Sequence, residues 1–318
     1  MSSIDPCEQL RTIINGRLSA IIRSPRFSTI QEPAAYVLLS GGKRLRPIMT
    51  LLFSRMLGGN EDDALAVACV SEMLHAASLI LDDLPCMDNA SMRRSLPACH
   101  IAYGEDIAIL TALHMLSSSY GLLAERFLPL KAAIASTLFT SMEDVVGSSG
   151  LIGGQLADLR STNKSPSYSV LRSVYQRKTC ELFVFSCIGG AIIANASPQT
   201  LSAIRSFAMH FGMYYQMADD LQDIEVGIRG SADKDRGKDI SKCTFINLTD
   251  RASNAEACRL LYEYAFGELS VLGESSATIR DALISISSQG ILSKSGMLNT
   301  LKTSEGAVAT EQDLRTTR

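Results

Sequence analysis

Residues 61–94 read EDDALAVACVSEMLHAASLILDDLPCMDNASMRR. From Glu61 to Leu81 the stretch is rich in Ala and Leu and has no turn residue inside it, and an apolar run of that length favours helix over strand. It then meets Asp82, Asp83 and Asp88, with Pro85 among them, and closes on Arg93 and Arg94. On a straight helix, Asp88 would lie about 240° round the axis from Asp82, and the two could not share a ligand. Pro85 lacks a backbone N–H and collides with the preceding turn, so the helix must end, kink or bulge there. A bulge of two residues would return Asp88 to the face of Asp82. The plainer alternative is a helix that ends at Leu84 and leaves a solvated loop. We expect the bulge, and with it a shaped acidic pocket.

The rest of the chain repeats the helical pattern. Residues 106–128 (DIAILTALHMLSSSYGLLAERFL), 131–150, 170–196, 197–228 and 254–273 are long apolar-periodic runs, separated by Gly and Pro breakers. Alternating strand patterns with Asn-Gly or Asp-Gly turns are missing, as are a dinucleotide fingerprint and a phosphate-binding P-loop. No composition shift marks a linker. We therefore expect one all-α domain over residues 1–302, with its most apolar helices at the centre, and a polar tail over 303–318.

With 318 residues the chain can bury a large core, and its 46% apolar and 20% charged content is that of a soluble globular protein. The net charge of −3 argues against a general nucleic-acid binder. None of the eight cysteines forms a C-x-x-C or stands at a zinc spacing, so we expect free buried thiols in a reducing compartment. No unbroken run of 18 apolar residues occurs, so no transmembrane segment is expected, and the N-terminus reads as a first helix. The cytoplasm follows by default.

A second acidic cluster stands in ADDLQD, residues 218–223. Asp219 and Asp223 are four apart, which on a helix puts both on one face with Cβ atoms about 5–6 Å apart. Two such carboxylates repel, and a hard divalent cation such as Mg²⁺ removes the repulsion while keeping water and phosphate in its remaining positions. Alone, the pattern would more often be a solvated acidic face. Here the flanking FAMHFGMYYQM places it near a core.

Basic groups lie apart from both clusters. GGKRLRP, residues 41–47, sets Lys43, Arg44 and Arg46 after a Gly-Gly turn; Arg93 and Arg94 follow the first cluster; Lys178 and Thr179 open an apolar run; Lys234, Lys238 and Lys242 follow the second cluster. Arg offers bidentate contacts to phosphate. Each cation alone would ordinarily be a solvated surface charge. Together they suggest two phosphorylated ends held near metal ions, above deep apolar helices.

These stretches resemble the trans-isoprenyl diphosphate synthases, most of all geranylgeranyl diphosphate synthases of the bacterial carotenoid-pathway type. The matching segments are GGKRLRP, HAASLILDDLPCMDNASMRR, GGQLADL, Lys178-Thr179, YYQMADDLQD and DKDRGKD, in the family's order over roughly residues 35–245. The resemblance implies an all-α fold with a central apolar cavity, a homodimer, and three Mg²⁺ ions between the two aspartate motifs and an allylic diphosphate (dimethylallyl, geranyl or farnesyl). It implies that Asp82, Asp83 and Asp88 bind metal from one wall and Asp219 and Asp223 from the other. Arg93, Lys178 and Lys238, with Lys234 beside it, would take the allylic diphosphate. Lys43, Arg46, His75 and Arg94 would hold isopentenyl diphosphate, and Thr179 and Gln216 would steady the developing cation. A lone His on an apolar helix is more often a core residue; its place two turns before Asp82 is what raises His75.

Ala77 and Ser78 lie about one turn before Asp82 and are small, whereas farnesyl-forming relatives of this subtype carry an aromatic residue near there. Small residues leave room for a C20 product, geranylgeranyl diphosphate; farnesyl diphosphate is the alternative. The chain departs from the family pattern at Asn89-Ala90, Ser95, Leu113 and Asp233. A terpene cyclase would lack GGKRLRP and the second aspartate motif. A catalytically silent regulatory subunit usually loses one motif, and both are present here.

Overall fold

Asn60 starts the central helix. Its side chain accepts a hydrogen bond from the Asp63 N–H at 3.0 Å, and Glu61, Asp62 and Asp63 fill the first turn, where negative charge suits the helix dipole. This helix, α4 (Glu61–Asp82), belongs to a computed structural model that describes residues 6–161, 166–228, 251–273 and 275–288. Before it come α1 (Pro6–Ile22), α2 (Gln31–Leu38) and α3 (Leu45–Met56). After it come a hairpin of β1 (Met92–Arg93) and β2 (Leu96–Pro97), then α5 (Cys99–Tyr103), α6 (Glu105–Phe127) and α7 (Ala132–Val146). The order continues with α8 (Leu151–Ser161), α9 (Tyr168–Tyr175), α10 (Glu181–Ile193), α11 (Pro198–Ile228), α12 (Arg251–Glu268) and α13 (Ser275–Ser288). The fold is all-α, as expected. The tail expected from residue 303 lies outside the described residues.

The core is built around α10, whose residues Leu182 to Ile193 are all buried. Two glycines let it approach its neighbours. A Cβ on Gly190 would stand 2.2 Å from the Thr50 carbonyl oxygen of α3, and one on Gly189 would stand 2.6 Å from a Val67 methyl of α4. On the far side Phe183, Phe207, Phe211 and Phe266 pack ring to ring, with centroids 5.5–5.6 Å apart between Phe183 and Phe211, Phe207 and Phe211, and Phe207 and Phe266. The seven cysteines among the described residues are free thiols, and all but Cys86 are buried.

Two features lie beyond what the sequence reading expects. Helices α4 and α6 are long and apolar enough to cross a membrane by length and composition, although no unbroken apolar run flagged them. Most of α4 is enclosed by α3, α6 and α10, and it carries Glu72, His75 and Asp82, polar groups that suit a helix of the protein core. The β-hairpin was also unforeseen, because two-residue strands are too short to show alternation. Met92 faces Pro97 and Arg93 faces Leu96, so Arg94 and Ser95 form the turn, with φ of 52° and 65°. Positive φ at both central residues is the type I′ geometry that suits a hairpin's twist. Most residues adopt it at a cost of roughly 1 kcal/mol each, and Ser95 bears that cost where glycine would not.

Arg44 sits at the start of α3 with φ 52° and is buried. Its guanidinium pairs with buried Glu72 of α4, donates to the Leu38 carbonyl, and donates to Asn15 Oδ1 at 2.9 Å. Arg44 thus ties α1, α2, α3 and α4 together and is structural, unlike its neighbours in GGKRLRP. Removing one partner leaves an uncompensated buried charge, so Glu72→Ala is expected to lower unfolding stability by about 3–5 kcal/mol in urea titrations.

Candidate active site

Helix α4 stops at Asp82, and the chain then folds back on the helix end. The Asp88 N–H donates to the Asp82 carbonyl at 2.8 Å, Met87 N–H to Leu84 at 2.9 Å, and Ala90 N–H to Asp83 at 3.2 Å. This corrects the expected bulge: Pro85 ends the helix, and hydrogen bonds across the loop bring Asp88 back beside Asp82. Terminating costs less than bulging, because the last carbonyls, freed of helical partners, are taken up by the returning N–H groups.

Burial pushes the Asp82 carboxyl above the usual carboxylate range; Lys178 opposes the rise and Asp88 adds to it. Asp83 turns the other way. It is buried, and its two oxygens accept a fork from Arg93, one arm at 3.1 Å from Nε. Expected as a metal ligand, Asp83 is here the anchor of Arg93. Burial works against the Arg93 charge, yet the hydrogen bond and charge of Asp83 hold its pKa above the ordinary value. Among the described residues no three acidic, imidazole or thiol groups converge as a metal cage. Asp82 and Asp88 are what the fold brings together. Two hard oxygen ligands, one of them uncomfortable when charged and alone, fit a divalent cation that draws its other ligands from water and phosphate.

One to two turns up α4 lies a cationic recess. The Gly41-Gly42 turn, with φ of 93° and 124°, wraps the Arg94 guanidinium, which donates to the Gly41 carbonyl. A Cβ on Gly42 would stand 2.9 Å from the Arg94 Cζ and would push the guanidinium aside, while the φ of 124° itself calls for glycine. Arg94 also lies 3.8 Å from Glu72. Arg46 stacks on Phe183, its Cζ 4.3 Å from the ring centroid, and its buried Nε has no hydrogen-bond partner among the described residues. Lys43 is exposed beside it. Burial, then the charges of Arg46, Arg94, Arg93 and Arg44, hold His75 well below the ordinary imidazole pKa, so it is neutral at pH 7. Cations around a neutral imidazole, with an orphaned guanidinium N–H, suit a phosphorylated ligand.

Between α9 and α10 the backbone widens into a π-turn, Gln176–Cys180, which sequence periodicity does not reveal. It carries Lys178 and Thr179. Lys178 Nζ donates to Asp158 Oδ2 at 2.8 Å and lies 3.9 Å from Asp82. Despite burial, Asp82, Asp158 and Asp88 hold its pKa above the ordinary lysine value. Gly154 of GGQLADL allows this approach, since a Cβ there would stand 2.5 Å from the Lys178 backbone nitrogen. Asp158, four residues on from Gly154 in the same motif, is a site residue that nothing local in the sequence singles out.

Thr179 Oγ1 donates to Gln216 Oε1 at 2.9 Å, joining the π-turn to α11. On α11 Asp219 acts electrostatically on Tyr215, whose hydroxyl burial pushes up to about 12, and on Arg46. The fold therefore gathers Asp82, Asp88 and Lys178 at one place and Arg46, His75 and Arg94 at another, both along α4, with Thr179, Gln216 and Asp219 on the facing elements. The side chain of Asp223 and residues Lys234, Lys238 and Lys242 lie outside the described residues.

The polyprenyl synthetase family model matches residues 27–268, and the chain belongs to that family. It is a prenyltransferase, a transferase of the short-chain prenyl diphosphate synthase class. It is 35% identical over 273 residues to the geranylgeranyl diphosphate synthase of Pantoea ananas, covering 84% of this chain and 87% of that protein. It is 36% identical over 198 residues to the farnesyl diphosphate synthase of Bacillus subtilis, covering 62% of this chain and 67% of that one. The crystal structure of a geranyltransferase from Legionella pneumophila superposes with a TM-score of 0.77 at 29% identity, covering 91% of this chain and 96% of that chain.

The depressed His75 pKa has a direct consequence. Unfolded, His75 titrates near the ordinary value of 6.5; folded, it resists the proton. Its contribution to stability is therefore whole above pH 6.5 and lost as pH falls below it. The His75 ring resonance in NMR is expected to titrate below 6.5, and saturating inorganic pyrophosphate to raise the midpoint.

Proposed function

We propose that the protein condenses isopentenyl diphosphate with an allylic diphosphate, head to tail, in a magnesium-dependent reaction that ends at geranylgeranyl diphosphate. The observation that carries this reading is the separation of two sites along one helix. Lys178 stands with the Asp82–Asp88 pair at the end of α4, and Arg94, Arg46 and His75 line a recess further up. The acidic site with its lysine suits an allylic diphosphate bound through metal, and the arginine recess suits a second, metal-free diphosphate.

Asp82, Asp88, Asp219 and Asp223 would hold magnesium, three ions by analogy with the family. Magnesium bound there would supply charge neutralisation for a departing diphosphate. Lys178 and Arg93 add fixed positive charge on the same side, aimed where negative charge grows as the allylic C1–O bond breaks. Arg46, Arg94 and His75 hold isopentenyl diphosphate so that its double bond reaches the allylic C1. The bond electrons leave on diphosphate oxygen, the alkene pair forms the new carbon–carbon bond, and the proton lost from the adjacent carbon goes to the released diphosphate. Gln216 and Thr179 offer oxygen atoms to the cation, and the surrounding apolar helices exclude the water that would quench it.

Support for the C20 length comes from Ser78. About 40° separates it from Asp82 around α4, and its hydroxyl returns to the His75 carbonyl at 2.9 Å. Ala77 faces the other way and is packed in the core, so bulk there would strain packing and not block a growing chain. Incubated with Mg²⁺, isopentenyl diphosphate and dimethylallyl, geranyl or farnesyl diphosphate, the protein is expected to give a C20 product by chromatography, and Ser78→Phe to shift it to C15. A wild-type C15 product would correct the length; no condensation with any primer would overturn the function.

A second copy of the chain is proposed to cover α6, which exposes Leu110 and Leu113 beside a groove lined by Ile30, Pro33 and Ile107. Sedimentation equilibrium is expected to return twice the chain mass, and Leu113→Glu to lower it towards one.

A further inference from the structure

We infer that Asp220 and Tyr175 are positioning residues that fix the polarity of Thr179 and Gln216, leaving oxygen lone pairs of those two side chains, and not their hydrogens, to meet a cationic carbon. The inference rests on the prenyl-transfer reading above for its meaning. Its hydrogen-bond logic stands on geometry alone.

Two pairs of residues face each other where the end of α9 and the π-turn meet α11. Tyr175 and Thr179 are four apart, and so are Gln216 and Asp220. The Tyr175 hydroxyl donates to Asp220 Oδ2, and Gln216 Nε2 donates to Asp220 Oδ1 at 2.9 Å. Thr179 Oγ1 stands 2.9 Å from Gln216 Oε1. Gly212, one turn before Gln216, sets the spacing, since a Cβ there would stand 2.9 Å from Cys180 Cα.

An ionised carboxylate can only accept. Asp220 therefore holds the nitrogen end of the Gln216 amide, and the oxygen end must face Thr179. An amide oxygen cannot donate, so the threonine hydroxyl must. One charge thus orients three hydrogen bonds in sequence. The Thr179 hydrogen is committed, and the lone pairs of its Oγ1 remain. Were the amide reversed, Gln216 would present N–H groups towards Thr179, and the hydroxyl hydrogen would be released towards the substrate. Hydrogens there would oppose a carbocation, whereas lone pairs favour it. Thr179 and Tyr175 are 8% and 7% exposed, which leaves little water to substitute for a missing partner. Asp220 is the middle acid of DDLQD, and this assigns it a role apart from Asp219.

The test uses the full chain. Asp220→Asn can donate as well as accept, so Gln216 is free to turn over. We expect kcat to fall by about tenfold with both diphosphate KM values changed by less than about threefold, the pattern of an interaction made only in the transition state. Adding Gln216→Glu to Asp220→Asn restores an acceptor-only group next to Thr179, and kcat is expected to recover most of that loss. Tyr175→Phe should give a smaller fall in kcat. An unchanged kcat in Asp220→Asn, a KM rise that matches the kcat loss, or no recovery in the double variant would overturn the inference. A second readout needs no turnover. In protein labelled with ¹⁵N-glutamine, the Gln216 side-chain amide signal, identified by its loss in Gln216→Glu, should shift in Asp220→Asn and in Tyr175→Phe. An unmoved signal overturns the hydrogen-bond chain. A wild type that transfers no prenyl group overturns the functional reading alone, and the spectrum still decides the geometry.

Discussion

Glu72 lies on α4 between Arg44 and Arg94, nearly sealed from solvent, and neither it nor Arg44 could be buried without the other. The pairing does more than hold helices together. Arg44 joins the first four helices, and Arg94 joins the hairpin to the Gly41-Gly42 turn. Glu72 is shared by Arg44 and Arg94 and Asp83 is taken by Arg93, so two carboxylates stand against four arginines and a neutral histidine, and the cluster is short of negative charge. The deficit is what prepares the recess for an anion.

Along α4 the charge then reverses. About two turns below His75, Asp82 and Asp88 stand together with Lys178 between Asp82 and Asp158. Arg93 lies between the two zones, held there by its fork to Asp83. A helix of 22 residues thus carries a cationic site and an acidic site on a core element, with their spacing set by helical rise. Rigidity matters for this reaction class, because two charged substrates must meet in one geometry before ionisation.

The glycines show how an apolar core delivers these polar groups. Gly189 and Gly190 seat α10 against α3 and α4, Gly154 seats α8 against the π-turn, and Gly212 seats α11 against Cys180. Each close approach shortens the reach between functional side chains on different helices. The π-turn adds to this by placing Lys178 towards the acidic loop and Thr179 towards Gln216 from consecutive positions.

By itself the sequence determined the helical class, through periodicity and the lack of strand signals, and it marked Asp82, Asp88, Lys178, Arg94 and His75 as residues of interest through their types and order. It also required a break at Pro85, because proline chemistry is local. It did not decide how the break is made, since a bulge and a termination differ only in which carbonyls find new partners. It treated Lys43, Arg44 and Arg46 alike, although burial makes Arg44 structural, and it treated Ala77 and Ser78 alike, although Ala77 is packed in the core and Ser78 is only half-buried. Glu72, Asp158, Tyr175 and Asp220 carried no local sign of their roles. Their partners lie 20 to 45 residues away along the chain, and a hydrogen bond over that separation exists only once packing has brought two helices into register.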